Sequence, residues 1–148
     1  MNITAIATSV DTFVHRDLHD PFEMDARLYG IETSPSDNDD GSLFLALGEN
    51  RDPYELLWET DKPTQALDAI ALVVTGYASP NDGDEDMRPS QHPDRIRVRI
   101  VACKGKDGFT TVMRRSDSPD TVEFTGEDCV GNLRDEIEEA WAQWHITR

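Results

Sequence analysis

Between residues 94 and 115 the chain alternates on a period of two. Ile96, Val98 and Ile100 fall on one parity, and Arg95, Arg97 and Arg99 on the other. Such a period sends successive side chains to opposite faces of a strand. One face is therefore apolar, and the other carries guanidinium groups at intervals of roughly 6.6–6.8 Å. Lys104-Gly105-Lys106-Asp107-Gly108 has turn chemistry, and Phe109 to Arg114 reads as the returning strand. A β-hairpin with an arginine face is thus expected, and the rest of the fold has to accommodate it.

The flanking segments show both common periods. Ile3, Ile6, Ala7, Val10, Phe13, Val14 and Leu18 make a helical stripe, with Asn2 or Thr4 as cap and Asp20-Pro21 as stop. Arg27 to Ile31 reads as a strand, and Ser42 to Leu47 as another, apolar enough for burial on both faces. Asp52-Pro53 opens a short helix expected to turn Tyr54, Leu57 and Trp58 inward. Asp61 and Pro63 suggest a second short helix carrying Ala66, Leu67 and Ile70, which runs into a central strand from Ala71 to Ala78. Residues 121–124 read as an edge strand. Val130, Leu133, Ile137, Trp141 and Trp144 form a last helical stripe, expected to be core, with Asn132 as its cap. Residues 34–41 and 79–93 have the composition of long polar loops. The expected architecture is a single α+β domain over residues 1–148. It has a mostly antiparallel sheet of four to five strands, with the N-terminal and C-terminal helices packed on one face.

Charge narrows the function. Thirty acids face fourteen Lys and Arg, a formal net charge of −16. Residues 95–115 run against this trend, with seven bases and one acid for a net of +6. A strongly anionic chain is repelled by phosphate backbones and anionic membranes, so direct nucleic-acid binding and membrane attachment are not expected, whereas a basic protein partner is. Two cysteines, Cys103 and Cys129, are too few for a secreted disulfide framework. The start lacks a basic segment followed by an apolar one, and no run approaches the ~20 apolar residues of a membrane helix. The expected setting is cytoplasmic.

Three constellations are candidates for chemistry. Arg95, Arg97 and Arg99 have the spacing and donors to hold phosphates or carboxylates, as an anion or partner site. The simpler alternative is internal neutralisation by the chain's own acids. Ser90, His92 and Asp94 supply the nucleophile, base and carboxylate of a small hydrolase acting from the loop at 89–95, but without a nucleophile elbow. Pro89 and Pro93 suggest instead a rigid entry into the strand. The acidic clusters at 37–40 and 82–86 do not match a calcium loop: counted from Asp82, the required glycine is Met87 and the terminal glutamate is Pro93. His15 and His19 have a zinc-compatible spacing but lack the metalloprotease glutamate. No glycine-rich phosphate loop occurs, and neither a metal nor a cofactor is expected.

The stretches Gly76-Tyr77-Ala78-Ser79-Pro80, Pro89 to Val98, and Asp20-Pro21-Phe22-Glu23-Met24 followed by Leu28-Tyr29 resemble a group of short acidic proteins from actinobacteria. The group brings no activity, so the resemblance implies only a bacterial cytosol or a phage replicating in one. The leading expectation is a non-enzymatic interaction or accessory protein that binds a basic partner, for example as a nucleic-acid mimic or phage-related inhibitor. The hydrolase and the anion-binding module are the alternatives.

Overall fold

Apolar residues on both parities of one strand decide the layering. In the computed structural model, which describes residues 2–17, 22, 24–33, 42–61, 67–78, 96–106, 108–116, 118–126 and 132–146, that strand is Ala69–Ala78. Ala69, Ala71 and Val73 point to one side and Ile70 and Leu72 to the other, and all five are fully buried. Such a strand needs cover on both faces.

The elements in chain order are α1 (Ile3–Asp17), β1 (Ala26–Thr33), β2 (Ser42–Asn50), α2 (Pro53–Glu59), β3 (Ala69–Ala78), β4 (Ile96–Gly105), β5 (Gly108–Arg115), β6 (Ser118–Gly126) and α3 (Leu133–Ile146). The strands form one open antiparallel sheet in the order β2-β1-β3-β4-β5-β6. The fold is α+β, and its described residues form six strands rather than four to five. Residues 121–124, expected as a minor edge strand, belong to the nine-residue β6. The expectation of helices on one face is also corrected. Ile6, Ala7, Val10 and Val14 of α1 pack on Tyr29, Ile31, Val73, Val101, Cys103 and Val112. Leu56 and Leu57 of α2 and Leu133, Ile137 and Trp141 of α3 pack on Leu28, Ile70, Leu72, Ala102 and Phe109 on the opposite side.

Local chemistry explains several boundaries. Asn2 caps α1, its Oδ1 accepting from the backbone N–H of Thr4 at 3.0 Å and of Ala5 at 3.2 Å. Asp52 caps α2 by accepting from the Tyr54 N–H at 2.9 Å, and Pro53 occupies the first helical position, where no donor is needed. The β4–β5 hairpin closes at Gly108, whose φ of +143° is rarely open to an L side chain. In β1, an added Cβ at Gly30 would sit 2.8 Å from Leu67 Cδ1, so glycine here allows close packing.

Three local expectations change. Ile70 lies in β3 rather than on a helix, and residues 62–66, where that helix was expected to start, are outside the described set. β2 is an edge strand, so it is half-covered rather than buried on both faces. Its extra residue Leu47 forms a bulge opposite Leu28 and Tyr29, and Leu45 and Leu47 both pack against the helix-covered cluster. In α2 the buried residues are Leu56 and Leu57, whereas Trp58 is 65% exposed.

Cys103 is a free thiol, fully buried under α1, and burial pushes its pKa up to about 12. It is chemically inert in the folded state. No described helix is long and apolar enough to cross a membrane.

Leu72 is buried at the centre of the sheet, beneath the α2–α3 layer. Leu72→Ala is expected to lower stability by about 2–5 kcal/mol through lost burial and a residual cavity. Urea denaturation should show a lower midpoint with an unchanged slope.

Candidate functional site

The hairpin register brings two arginines face to face. Arg99 of β4 pairs directly with Arg114 of β5. Like charges opposite each other destabilise a sheet unless something stands between them. Here it is Asp11, carried over the pair by α1. Its Oδ1 accepts from Arg99 Nε at 3.0 Å and Nη2 at 2.8 Å. Its Oδ2 accepts from Arg114 Nε at 2.9 Å and lies 2.8 Å from Nη2 of the same residue. Arg99 Nη2 also donates to the Asp11 backbone carbonyl at 3.3 Å. One carboxylate is thus gripped by two guanidinium forks. Asp11 and Arg99 are fully inaccessible, and Arg114 is 7% exposed.

An aromatic ring adjoins Arg99. The Phe22 ring centre lies 5.6 Å from the Arg99 guanidinium carbon, within range of a cation–π contact. Burial pushes the Arg99 pKa down, while the charge and hydrogen bonds of Asp11 oppose the shift and Arg114 adds to it. His15, one helical turn beyond Asp11, has its ring edge-on to Phe22 with centroids 6.1 Å apart. Its Nδ1 has no hydrogen-bond partner among the described residues. Desolvation, then Arg114 and Arg99, lower its pKa, and Asp11 and Asp120 pull the other way.

This placement corrects one candidate residue. Arg99 does not face an outside anion, because it is fully buried and its Nε and Nη2 donate to an internal carboxylate. Arg97, on the same face two residues earlier, is half-buried, with its guanidinium carbon 5.3 Å from the centre of the Tyr77 ring. Tyr77 is its register partner on β3. Arg95 and the hydrolase candidates Ser90, His92 and Asp94 lie outside the described residues. Among the described residues no group of three His, Cys, Asp or Glu is placed to hold a metal ion.

The sequence reading passed over Asp11, yet it left a signal. Asp11 follows Ala7 by four residues and precedes Val14 by three, so it lies on the apolar stripe of α1. An acid at such a position requires a buried cation.

Depressions of differing character lie among the described residues. Shallow ones of about 430 Å³ lie beside Thr8, Thr12, Phe13 and Arg16 of α1, and at the β1–β2 edge around Arg27, Tyr29, Ala46 and Glu49. Their described linings do not combine a nucleophile with a base. The third, of about 240 Å³, lies between α2 and α3 and combines Trp58 and Trp144 with Glu136 and Glu139. Trp58 Nε1 donates to Glu136 Oε2 at 2.9 Å across the two helices. Sequence reasoning missed this groove because it turned Trp58 inward. The adjacent pair Leu56-Leu57 was the available clue, since at 3.6 residues per turn a buried arc centred between them puts Trp58 roughly 150° from its centre, on the outward side.

Asp11→Ala is expected to cost about 3–5 kcal/mol, because it leaves two guanidiniums opposed without their shared carboxylate. Replacing all three (Asp11→Leu, Arg99→Met, Arg114→Leu) should restore most of that loss in urea denaturation. His15 supplies a pH-dependent term. Its folded-state pKa lies below the usual 6.5, so the unfolded chain takes up the proton first as pH falls. The fold keeps its full stability with respect to this group above that value and loses part of it below. His15→Asn should therefore reduce the fall in urea midpoint between about pH 7.5 and 5.5, relative to the unaltered chain.

No family model, curated protein or solved structure matches the chain, and its function has to be read from its own charges and grooves.

Proposed function

We propose that this protein is a non-enzymatic accessory protein that binds a basic protein partner through an acidic outer surface. The supporting observation is the segregation of charge. Arg99 and Arg114 are buried around Asp11, while Lys104 and Arg134 both lie against Glu138, at 3.4 and 3.5 Å. The acids of the helical layer are placed differently. Glu55, Glu59 and Asp61 on and after α2, and Asp135 and Glu139 on α3, are exposed, as are Asp120 and Glu123 on β6. Among the described residues Arg16, Arg51 and Lys106 are exposed as well, but the exposed carboxylates outnumber them, and a net charge of −16 acts on the surroundings as a long-range field.

Such a field accelerates encounter with a basic partner and repels nucleic acid. A surface of fixed carboxylates also competes with nucleic acid for the same basic protein, so a nucleic-acid mimic is one concrete form of the proposal. Inhibition of a DNA-binding enzyme in a bacterial or phage-infected cytosol would be its setting, in keeping with the actinobacterial resemblance. The anion-binding alternative is weakened by Arg99, which is fully buried and donates through Nε and Nη2 to Asp11.

Binding to core histones, used as a basic protein probe, tests the reading. Affinity is expected to fall steeply from about 50 mM to 1 M salt, where the screening length shrinks to ~3 Å, and duplex DNA should displace the chain. Binding that persists at 1 M salt, or no binding at 50 mM, would overturn the proposal.

A further inference from the structure

We infer that the groove between α2 and α3 seats an arginine side chain of a basic protein partner, an inference that rests on the acidic-surface reading and names where that surface reads its partner.

The groove is built for one side chain. Its volume is about 240 Å³, below the roughly 300–1,000 Å³ of sites that enclose cofactors and drug-sized ligands. Leu57 and Ala140 provide apolar contact, and Trp58 and Trp144 provide aromatic rings. Trp58 is the decisive group. Large aromatic side chains are usually covered, but this one is 65% exposed, while Leu56 and Leu57 beside it are buried. Its exposure serves no packing need of α2. Tryptophan is also the residue type most enriched where binding energy concentrates.

The ring is held rather than loose. Its indole N–H donates to Glu136 Oε2 at 2.9 Å. Tyr54 lies on its other flank, with ring centroids 6.1 Å apart. Glu139, one turn further along α3, is exposed and lines the same groove. Its Oε1 accepts from Gln143 Nε2 at 3.3 Å, an arrangement that leaves its other oxygen for a further donor.

The chemistry selects arginine. A guanidinium stacks on an indole face and donates in a fork to carboxylates, and it sheds water more readily than an ammonium group. Lysine offers a point charge with no plane to match the ring. An uncharged apolar occupant would cover the Glu136 and Glu139 carboxylates while bringing no donor beyond those that Trp58 and Gln143 already supply. A second copy of this chain would bring a charge of −16 against this acidic face.

The test uses the whole chain and two probes, hexa-arginine and hexa-lysine peptides, at about 50 mM salt. Trp58→Ala and Trp58→Leu leave the net charge unchanged, and their folding is checked by thermal denaturation. Hexa-arginine is expected to shift the Trp58 indole N–H resonance and to bind more tightly than hexa-lysine. Either variant should weaken hexa-arginine binding by about fivefold and bring the two peptides closer together. Equal hexa-arginine affinity in the unaltered chain and both variants would overturn the arginine seat while leaving the acidic-surface reading intact. No binding of either peptide to the unaltered chain would overturn both. Self-association of the unaltered chain that Trp58→Ala abolishes would assign the groove to a second copy instead, and would also overturn the inference.

Discussion

The arrangement depends on one carboxylate. β4 and β5 pair in a register that sets Arg99 against Arg114, and Asp11 lies between them with both oxygens engaged. A slip of β4 by one residue would turn Arg99 to the opposite face and present Asp11 with Val98 or Ile100. The triad therefore specifies hairpin register and helix position together. Its net stabilisation is another matter. Three charges removed from water carry a desolvation cost that their attraction only partly offsets. The apolar contacts around it, from Val10, Val14, Val101 and Val112, supply the favourable burial.

The two helical layers differ in character. The α1 layer buries cations and a carboxylate, stacks Arg99 against Phe22, and seals Cys103 beneath apolar side chains. The α2–α3 layer has an apolar underside and an outer rim of acids, interrupted by an exposed indole. The sheet separates the two environments. Four of the positive groups are withdrawn from the acidic field, Arg99 and Arg114 into the α1 layer and Lys104 and Arg134 against Glu138, while Arg16, Arg51 and Lys106 stay exposed.

Local features were legible in the sequence. Asn2 and Asp52 cap the helices expected of them, the alternation at 96–100 is a strand, and the turn before Gly108 closes the hairpin. These are properties of short windows. The number of strands and the sidedness of the helices depend on contacts between distant windows, and there the reading was incomplete. The continuous apolar run at 69–74 already required two covered faces, but the same composition suits a buried helix, and Ile70 was assigned to one. The candidate site divides in the same way. The arginine face is visible as a pattern, whereas its partner Asp11 lies far away in sequence and shows only as a flaw in an apolar stripe. Trp58 was misplaced because α2 has seven residues, too few for periodicity to choose among adjacent large side chains.

The sequence separation of the triad has a consequence for biosynthesis. Asp11 meets Arg99 across 88 positions and Arg114 across 103. At roughly 5–20 residues per second, a ribosome takes on the order of 5–20 seconds to deliver the second arginine after Asp11 has been made. Throughout that interval α1 carries an apolar face with a carboxylate in its middle, and β1 and β3 offer it apolar cover but not both of the arginines that meet Asp11. Contacts of such long range also slow folding once synthesis ends. In the nascent chain the acid that later locks the core is a solubilising charge on an otherwise sticky helix, and it keeps that role until the last of its partners emerges.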